Sequence, residues 1–111
     1  MIATPEDLEL LTLAAKAAGY KFRGYEKWYE DYVCYDPETD CNYQWNPLAR
    51  NQDAFELAVV LKITVSLFET DVETTGFNSD ATFMEVYGDD AEAAVRRAIV
   101  RYAEYLARKL K

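Results

Sequence analysis

The sequence predicts an α+β domain in which a small, mainly antiparallel sheet packs with three amphipathic helices. Apolar residues recur at helical spacing in three segments. Between the second and the third segment, apolar and polar residues alternate as in a strand, and turn residues interrupt them. Helices on both faces of the sheet would make the arrangement an α/β/α sandwich. Because 111 residues, 50% of them apolar, suffice for one core, we expect a single domain over residues 1–111.

The first helix is predicted over residues 5–18. Thr4 is a candidate N-cap and Pro5 suits the first helical position, and two acidic residues follow where the helix dipole favours them. Gly19 follows the last apolar residue of the pattern. Glycine there suits the left-handed conformation that ends many helices.

Residues 20–45 form an aromatic segment that holds both tryptophans and six of the nine tyrosines. The stretches 32–35 and 41–45 predict two strands on either side of the turn-forming sequence DPETD. An aromatic-rich loop covering a sheet edge would have a similar composition, so both interpretations stay open. The aromatic rings either cover the sheet with their polar tips in water or form a contact surface for a partner.

The second helix is predicted to end near Lys62. Its start is set either by Asn46 before Pro47 or by Asn51 before the run from Asp53. Its apolar residues give one broad face, typical of a buried helix, at Ala54, Phe55, Leu57, Ala58, Val59 and Leu61.

A β-hairpin and a third helix complete the chain. Residues from 63 onward alternate in sidedness, residues 74–79 include Gly76 and Asn78 as a hairpin loop, and residues 81–87 supply the returning strand. The third helix is predicted to start at Asp89 or Asp90, either of which suits the N-cap, and to continue to residue 109.

The run from residue 63 to residue 95 contains eight carboxylates and no lysine, arginine or histidine. Glu69, Asp71 and Glu73 are expected to alternate along one strand and therefore to share a face. Three interpretations stay open: charges on an edge strand that deter aggregation, a binding face for a basic partner, or a divalent-cation site. The EF-hand pattern itself fails, because Thr75 and Thr82 stand where two of its acidic ligands belong.

Composition argues against several classes of protein. Without histidine, the Ser-His-Asp and Cys-His arrangements are impossible, and no nucleotide-binding glycine motif occurs, so we predict no enzyme, no cofactor and no metal site. A formal net charge of −8 disfavours direct nucleic-acid binding, because phosphates bind lysine and arginine. No apolar run reaches the length of a membrane span, and the acidic N-terminus differs from a basic signal peptide. A cytoplasmic protein is therefore expected, without membrane association.

Cys34 and Cys41 flank the predicted turn in the aromatic segment. A secreted protein could join them in a small disulfide loop, whereas a reducing cytosol favours two free thiols. Two thiolates alone would leave a tetrahedral zinc site half filled.

Three stretches carry a resemblance to a known family: EDLELLTLAAKAAGYKF, WNPLARNQDAFELAVVL and GDDAEAAVRRAIVRYAEYL. The chain resembles the phage ABA sandwich domain of small phage and prophage proteins, and the resemblance extends over nearly its whole length. The most specific part is Trp45-Asn46-Pro47-Leu48 followed by Asp53-Ala54. The resemblance implies a sheet between two helical layers, a structural role for Trp45, Asn46 and Pro47, and expression in the cytoplasm of a bacterial host. It implies no catalytic residues.

The function expected from these observations is binding without catalysis. In the leading hypothesis, Glu69, Asp71 and Glu73, together with Tyr29, Tyr32 and Tyr35, bind a basic host protein, such as a nucleic-acid-binding or defence protein. The alternative is a protein that binds or sequesters a small ligand or nucleotide, using Arg96, Arg97 or Arg101 with an aromatic residue from 25–45. A homodimer is possible in either case.

Overall fold

The computed structural model describes residues 5–76 and 81–110, which contain three helices and two antiparallel three-stranded sheets. The elements in chain order are α1 (Pro5–Ala18), β1 (Lys21–Glu26), β2 (Asp31–Asp36), β3 (Cys41–Gln44), α2 (Asn51–Leu61), β4 (Ile63–Leu67), β5 (Asp71–Gly76), β6 (Thr82–Val86) and α3 (Ala91–Lys109). Strands β1–β2–β3 form sheet A, and β4–β5–β6 form sheet B. The α+β class with three helices is confirmed, but the strands form two sheets where one was expected.

Helix α1 has the predicted bounds. Gly19 adopts a φ of +80°, and its backbone N–H donates to the carbonyl oxygen of Lys16, which ends the helix in the expected left-handed turn. Thr4, the predicted N-cap, lies outside the described residues. Leu11, Ala14 and Ala15 are fully buried and fix α1 in the main core.

Sheet A contains the two strands predicted in the aromatic segment and one strand that was not predicted. The predicted pair, β2 and β3, flanks the DPETD turn. The additional strand, β1, pairs with β2 through a register shift between Phe22 and Gly24, where Gly24 has a φ of +87°. Glycine at this bulge permits a backbone conformation that other residues rarely adopt.

Helix α2 ends at Lys62 as predicted, in a left-handed conformation with a φ of 57°. Both predictions for its start were wrong. Arg50 is the N-cap, with an extended backbone and no side-chain cap, and Asn51 is the first helical residue. Asn46 instead forms a separate turn, in which its carbonyl oxygen accepts from the backbone N–H groups of Ala49 and Arg50.

Sheet B differs from the predicted hairpin because a turn at residues 68–70 divides the acidic run into β4 and β5. The backbone N–H of Phe68 donates to the carbonyl oxygen of Asp71 at 2.9 Å across this turn. Strand β5 continues to Gly76, through the first part of the predicted loop, and residues 77–80 lie outside the described residues. The returning strand β6 is confirmed within residues 81–87. Strand β5 is therefore central, not an edge strand as one interpretation of the acids required.

Helix α3 packs between sheet B and the helices α1 and α2. Asp90 caps it by accepting from the backbone N–H of Ala93 at 3.0 Å, which confirms one of the two predicted caps. Ile99, Val100 and Ala103 belong to the main core, together with buried residues of α1, α2 and sheet A. Ala94 and Ala98 instead contact Val72 of sheet B in a smaller cluster. Helices therefore lie between the two sheets, whereas an α/β/α sandwich places a sheet between helical layers.

Candidate binding surfaces

Sheet B has one face against α3 and an opposite, outer face. Val72 and Thr74 of β5 are fully buried on the α3 side, and the Thr74 hydroxyl donates to the carbonyl oxygen of Ala98 at 2.8 Å. Because successive strand residues alternate in direction, their neighbours point the other way. We call that side the outer face of sheet B; it is formed by Thr64, Ser66, Asp71, Glu73, Thr75, Thr82, Met84 and Val86.

Two carboxylates lie in the middle of this outer face. Asp71 is paired with Val86 across the strands, and Glu73 lies between Ser66 and Met84. Met84 and Val86 are 52% and 67% exposed. The centre of the face is therefore acidic, and apolar side chains border it along β6.

Glu69 does not lie on the same strand as Asp71 and Glu73, as had been predicted. It is exposed in the turn at residues 68–70, next to the start of β5. The turn displaces it because Phe68, Glu69 and Thr70 are needed to reverse the chain between β4 and β5. The three acids consequently occupy one end and the centre of the outer face, without forming a single alternating row.

The structure separates six of the acids of this run into two groups. Glu85 points towards α3 and pairs with Arg101, Asp90 caps α3, and Glu92 accepts from the side-chain amide of Asn51. Within the described residues, Glu69, Asp71 and Glu73 form no ion pair. The negative charge of the outer face is therefore not neutralised by the arginines of α3.

The tyrosines predicted to join these acids lie on the other sheet. Tyr32 is 2% exposed and belongs to the main core, so its prediction as a surface contact was wrong. Tyr29 is exposed, and its hydroxyl donates to the carbonyl oxygen of Asn42. Tyr35 is half-buried; its hydroxyl donates to Asp40, and this hydrogen bond raises the pKa of Tyr35. Sheet A packs on α1 and sheet B on α3, so the acids and the tyrosines form no common surface.

Trp28 is the most exposed large apolar side chain of sheet A, at 92%. It lies in the turn between β1 and β2, next to the partly exposed Tyr25 and Tyr29. The sequence placed Trp28 in the aromatic segment but gave no signal that set it apart from Trp45. A predicted turn at residues 27–30 would have supplied that signal.

An apolar groove lies between α2, β4 and the first half of α3, with a volume of about 920 Å³. Phe55 and Val59 of α2 form one wall, and Ile63, Val65 and Leu67 of β4 form the other. Phe55 and Leu67 are each 68% exposed and Val59 is 51% exposed. The prediction that all apolar residues of α2 share one buried face was therefore wrong for Phe55 and Val59. The remaining lining residues are Asn51, Ala54, Ala58, Lys62, Tyr87, Ala91, Glu92, Val95, Arg96 and Ile99.

The groove exists because α3 covers only part of the inner face of sheet B. A helix is about 10 Å wide and strands are about 4.8 Å apart, so one helix covers roughly two strands. Helix α3 packs mainly against β5 and β6, which leaves β4 with its apolar side chains beside α3 and not beneath it.

Trp45, Asn46 and Pro47 connect sheet A to the start of α2. Trp45 is 3% exposed and packs edge-to-face against Tyr20 and Phe22, and Pro47 is fully buried. The side-chain amide of Asn46 donates to Asp31 at 3.1 Å, and its backbone N–H donates to Asp53 at 2.8 Å. Arg50 forms ion pairs with both of these carboxylates. The motif thus fixes the position of α2 relative to β2.

The three arginines considered for a nucleotide site form hydrogen bonds or ion pairs with other parts of the chain. Arg96 donates to the carbonyl oxygen of Leu48 and to Asn51, Arg97 pairs with Asp7, and Arg101 pairs with Glu85. None of these contacts involves an aromatic residue from 25–45. The combination that the nucleotide hypothesis required is not present among the described residues.

The two cysteines are free, Cys34 buried and Cys41 exposed. Burial raises the pKa of the Cys34 thiol to about 12, and burial likewise raises the pKa of the neighbouring Tyr43 to about 12. A nucleophilic cysteine needs a lowered pKa to form the thiolate. Cys34 is therefore an inert core residue at neutral pH.

In residues 5–76 and 81–110, no group of three or more potential ligands among cysteine, aspartate and glutamate is placed to hold a metal ion. Among the helices of the same residues, none combines the length and apolarity needed to cross a membrane. Comparison of the chain with protein-family models, with curated proteins and with solved structures found no match.

Proposed function

We propose that this chain is a non-enzymatic accessory protein of a phage or prophage that binds a basic surface of a host protein in the bacterial cytoplasm. The proposed contact is the outer face of sheet B. The observation that supports it is that Glu69, Asp71 and Glu73 lie on or beside the sheet face that points away from α3, and that none of them forms an ion pair with another described residue.

Electrostatics favours a basic partner for this face. The net charge of −8 attracts basic proteins over long range and repels phosphate backbones and anionic membrane surfaces. At close range, lysine or arginine side chains of the partner would pair with Asp71 and Glu73. Met84 and Val86 add exposed apolar area beside the charges, as in many protein interfaces.

The expected contribution of each ion pair to the binding free energy is small, and the three together have a measurable effect. An ion pair at a partly exposed site contributes about 0.2–1 kcal/mol, so three contribute about 0.6–3 kcal/mol. Since about 1.4 kcal/mol corresponds to a factor of ten in Kd, neutralising all three acids should weaken binding by about 3- to 150-fold.

Two variants with equal net charge test the proposal. The first carries Glu69→Gln, Asp71→Asn and Glu73→Gln, which neutralise the proposed contact. The control carries substitutions that remove three exposed acids elsewhere: Glu6→Gln, Glu30→Gln and Glu38→Gln. Each variant changes the formal net charge from −8 to −5, so any difference between them reflects position on the surface.

Affinity capture from bacterial extract, followed by quantitative mass spectrometry, compares the wild type with both variants. We expect a protein with a basic surface to be captured by the wild type and by the control, and to be lost with the outer-face variant. Its capture should also weaken as the salt concentration rises. Equal capture by all three proteins, or equal loss with both variants, contradicts the proposal.

A further inference from the structure

We propose that the apolar groove is the interface of a symmetric homodimer, in which α2 of each copy lies in the groove of the other. This proposal does not depend on the proposed function. The groove is on the inner side of sheet B, where Val65 and Leu67 point, whereas Thr64 and Ser66 of the same strand point to the outer face.

The groove has the size and shape to hold a helix. Its walls are a helix and a strand, and α3 forms its floor. Taking a helix as a cylinder about 10 Å wide, the 920 Å³ of the groove equals about 12 Å of helix, or roughly two turns. A helix placed there would cover β4 in the way that α3 covers β5 and β6.

The wall formed by α2 is itself an uncovered helix of suitable size. Its 11 residues span about 16 Å, or three turns. Phe55 and Val59 are one turn apart and exposed along the side that faces the groove. A single two-fold contact would therefore fill the groove and cover the exposed side of α2 at once, because each copy places its α2 in the groove of the other.

The charges at the groove favour a second copy over a basic partner. The charged lining residues are Lys62, Glu92 and Arg96, so this region carries both signs, unlike the acidic outer face. In an antiparallel pairing of the two α2 helices centred on Val59, residues on the facing sides of the helices that are equally distant from 59 meet. Phe55 of one copy then lies beside Ile63 of the other, and Glu56 lies beside Lys62.

Adjacent valines on α2 provide a matched pair of variants. Val59 lines the groove, whereas Val60 does not, and the two are 51% and 47% exposed. Val59→Glu and Val60→Glu therefore make the same chemical change at similar exposure on the same helix. Sedimentation velocity and light scattering over a concentration series measure the dimer dissociation constant of each protein, and thermal melts monitored by circular dichroism confirm that both fold.

We expect the wild type and Val60→Glu to dimerise equally and Val59→Glu to dimerise about 100-fold more weakly, because the substituted carboxylate enters the interface in both copies. Equal dimerisation of all three proteins overturns the proposal, as does equal loss in both variants. A wild type that stays monomeric throughout the series also overturns it, including one whose groove instead binds an amphipathic helical peptide.

Discussion

Replacing Gly76 by alanine should destabilise the contact between sheet B and α3. A Cβ atom at position 76 would collide first with the hydroxyl oxygen of Tyr102, and would lie 2.7 Å from Cζ and 3.0 Å from Cε1 of the same ring. Ordinary contacts of a Cβ atom begin at 3.4 Å, so Cζ must recede by about 0.7 Å, the difference between 3.4 and 2.7, and the hydroxyl oxygen must recede further. Gly76 does not have a positive φ, so backbone strain does not contribute.

Tyr102 has little freedom to make that movement. It is 1% exposed, and its ring packs against Phe83 and Tyr105 with centroid distances of 6.0 and 5.8 Å. Overpacking a filled core costs about 1–3 kcal/mol, and aromatic neighbours on the ring place this site in the upper half of that range. With an unfolding entropy of about 2.1 cal/mol/K per residue, a loss of about 2–3 kcal/mol lowers the Tm by roughly 10 °C.

Urea and thermal unfolding of Gly76→Ala, Tyr102→Phe and the double variant form a double-mutant cycle. Removing the Tyr102 hydroxyl gives the ring room to recede, so the double variant should be more stable than the sum of the single effects predicts. Gly76→Ala with wild-type stability, or strict additivity in the cycle, would refute the steric argument.

Three further predictions concern sheet A and its link to α2. Asn46→Ala removes the side-chain hydrogen bonds to Asp31 and from the backbone N–H of Leu48, and should lower the free energy of unfolding in urea by about 1–2 kcal/mol; an unchanged midpoint would contradict a structural role. In the native protein at about pH 8, iodoacetamide should modify the exposed Cys41 and spare the buried Cys34, as mass spectrometry can show. Burial raises the pKa of Cys34 from 9.0 to about 12. Between these pH values the folded protein keeps the thiol proton that the unfolded chain loses. The stability that Cys34 contributes by this difference is therefore complete below pH 9 and is lost as the pH rises to 12. Cys34→Ala should make urea stability fall less steeply over that interval, and an equally steep fall would count against the argument.

The sequence predicted best those elements whose ends contain residues with distinctive backbone preferences. Pro5 and Gly19 marked both ends of α1, and Asp90 marked the start of α3. The turn at residues 68–70 contains none of the usual turn residues, so β4 and β5 were read as one strand. Similarly, Glu30 adopts a φ of 52° in the turn between β1 and β2, which contains no glycine and was not predicted.

Strand β1 and the division into two sheets depend on contacts between distant residues. The stretch KFRGYE has a strand conformation because β2 pairs with it through a bulge, which local propensity does not reveal. The separation of the sheets follows from the turn at Asn46 and from α2, which connect β3 of sheet A to β4 of sheet B.

For the candidate surfaces, charge was easier to predict than burial. The pattern correctly placed Asp71 and Glu73 on one face, because their neighbours Val72 and Thr74 are the residues that pack on α3. It could not show that Tyr32 is buried, or that Phe55 and Val59 are exposed. Those outcomes depend on how many strands α3 can cover and on which helix face meets it.

The two tryptophans differ in solvent exposure and can therefore serve as intrinsic fluorescence probes of two different regions. Trp28 is surrounded by solvent and Trp45 by the rings of Tyr20 and Phe22. A soluble quencher reaches the first and not the second, so their emission can be separated without labelling. Trp45 then monitors the integrity of the domain, and Trp28 monitors whatever approaches the tip of sheet A.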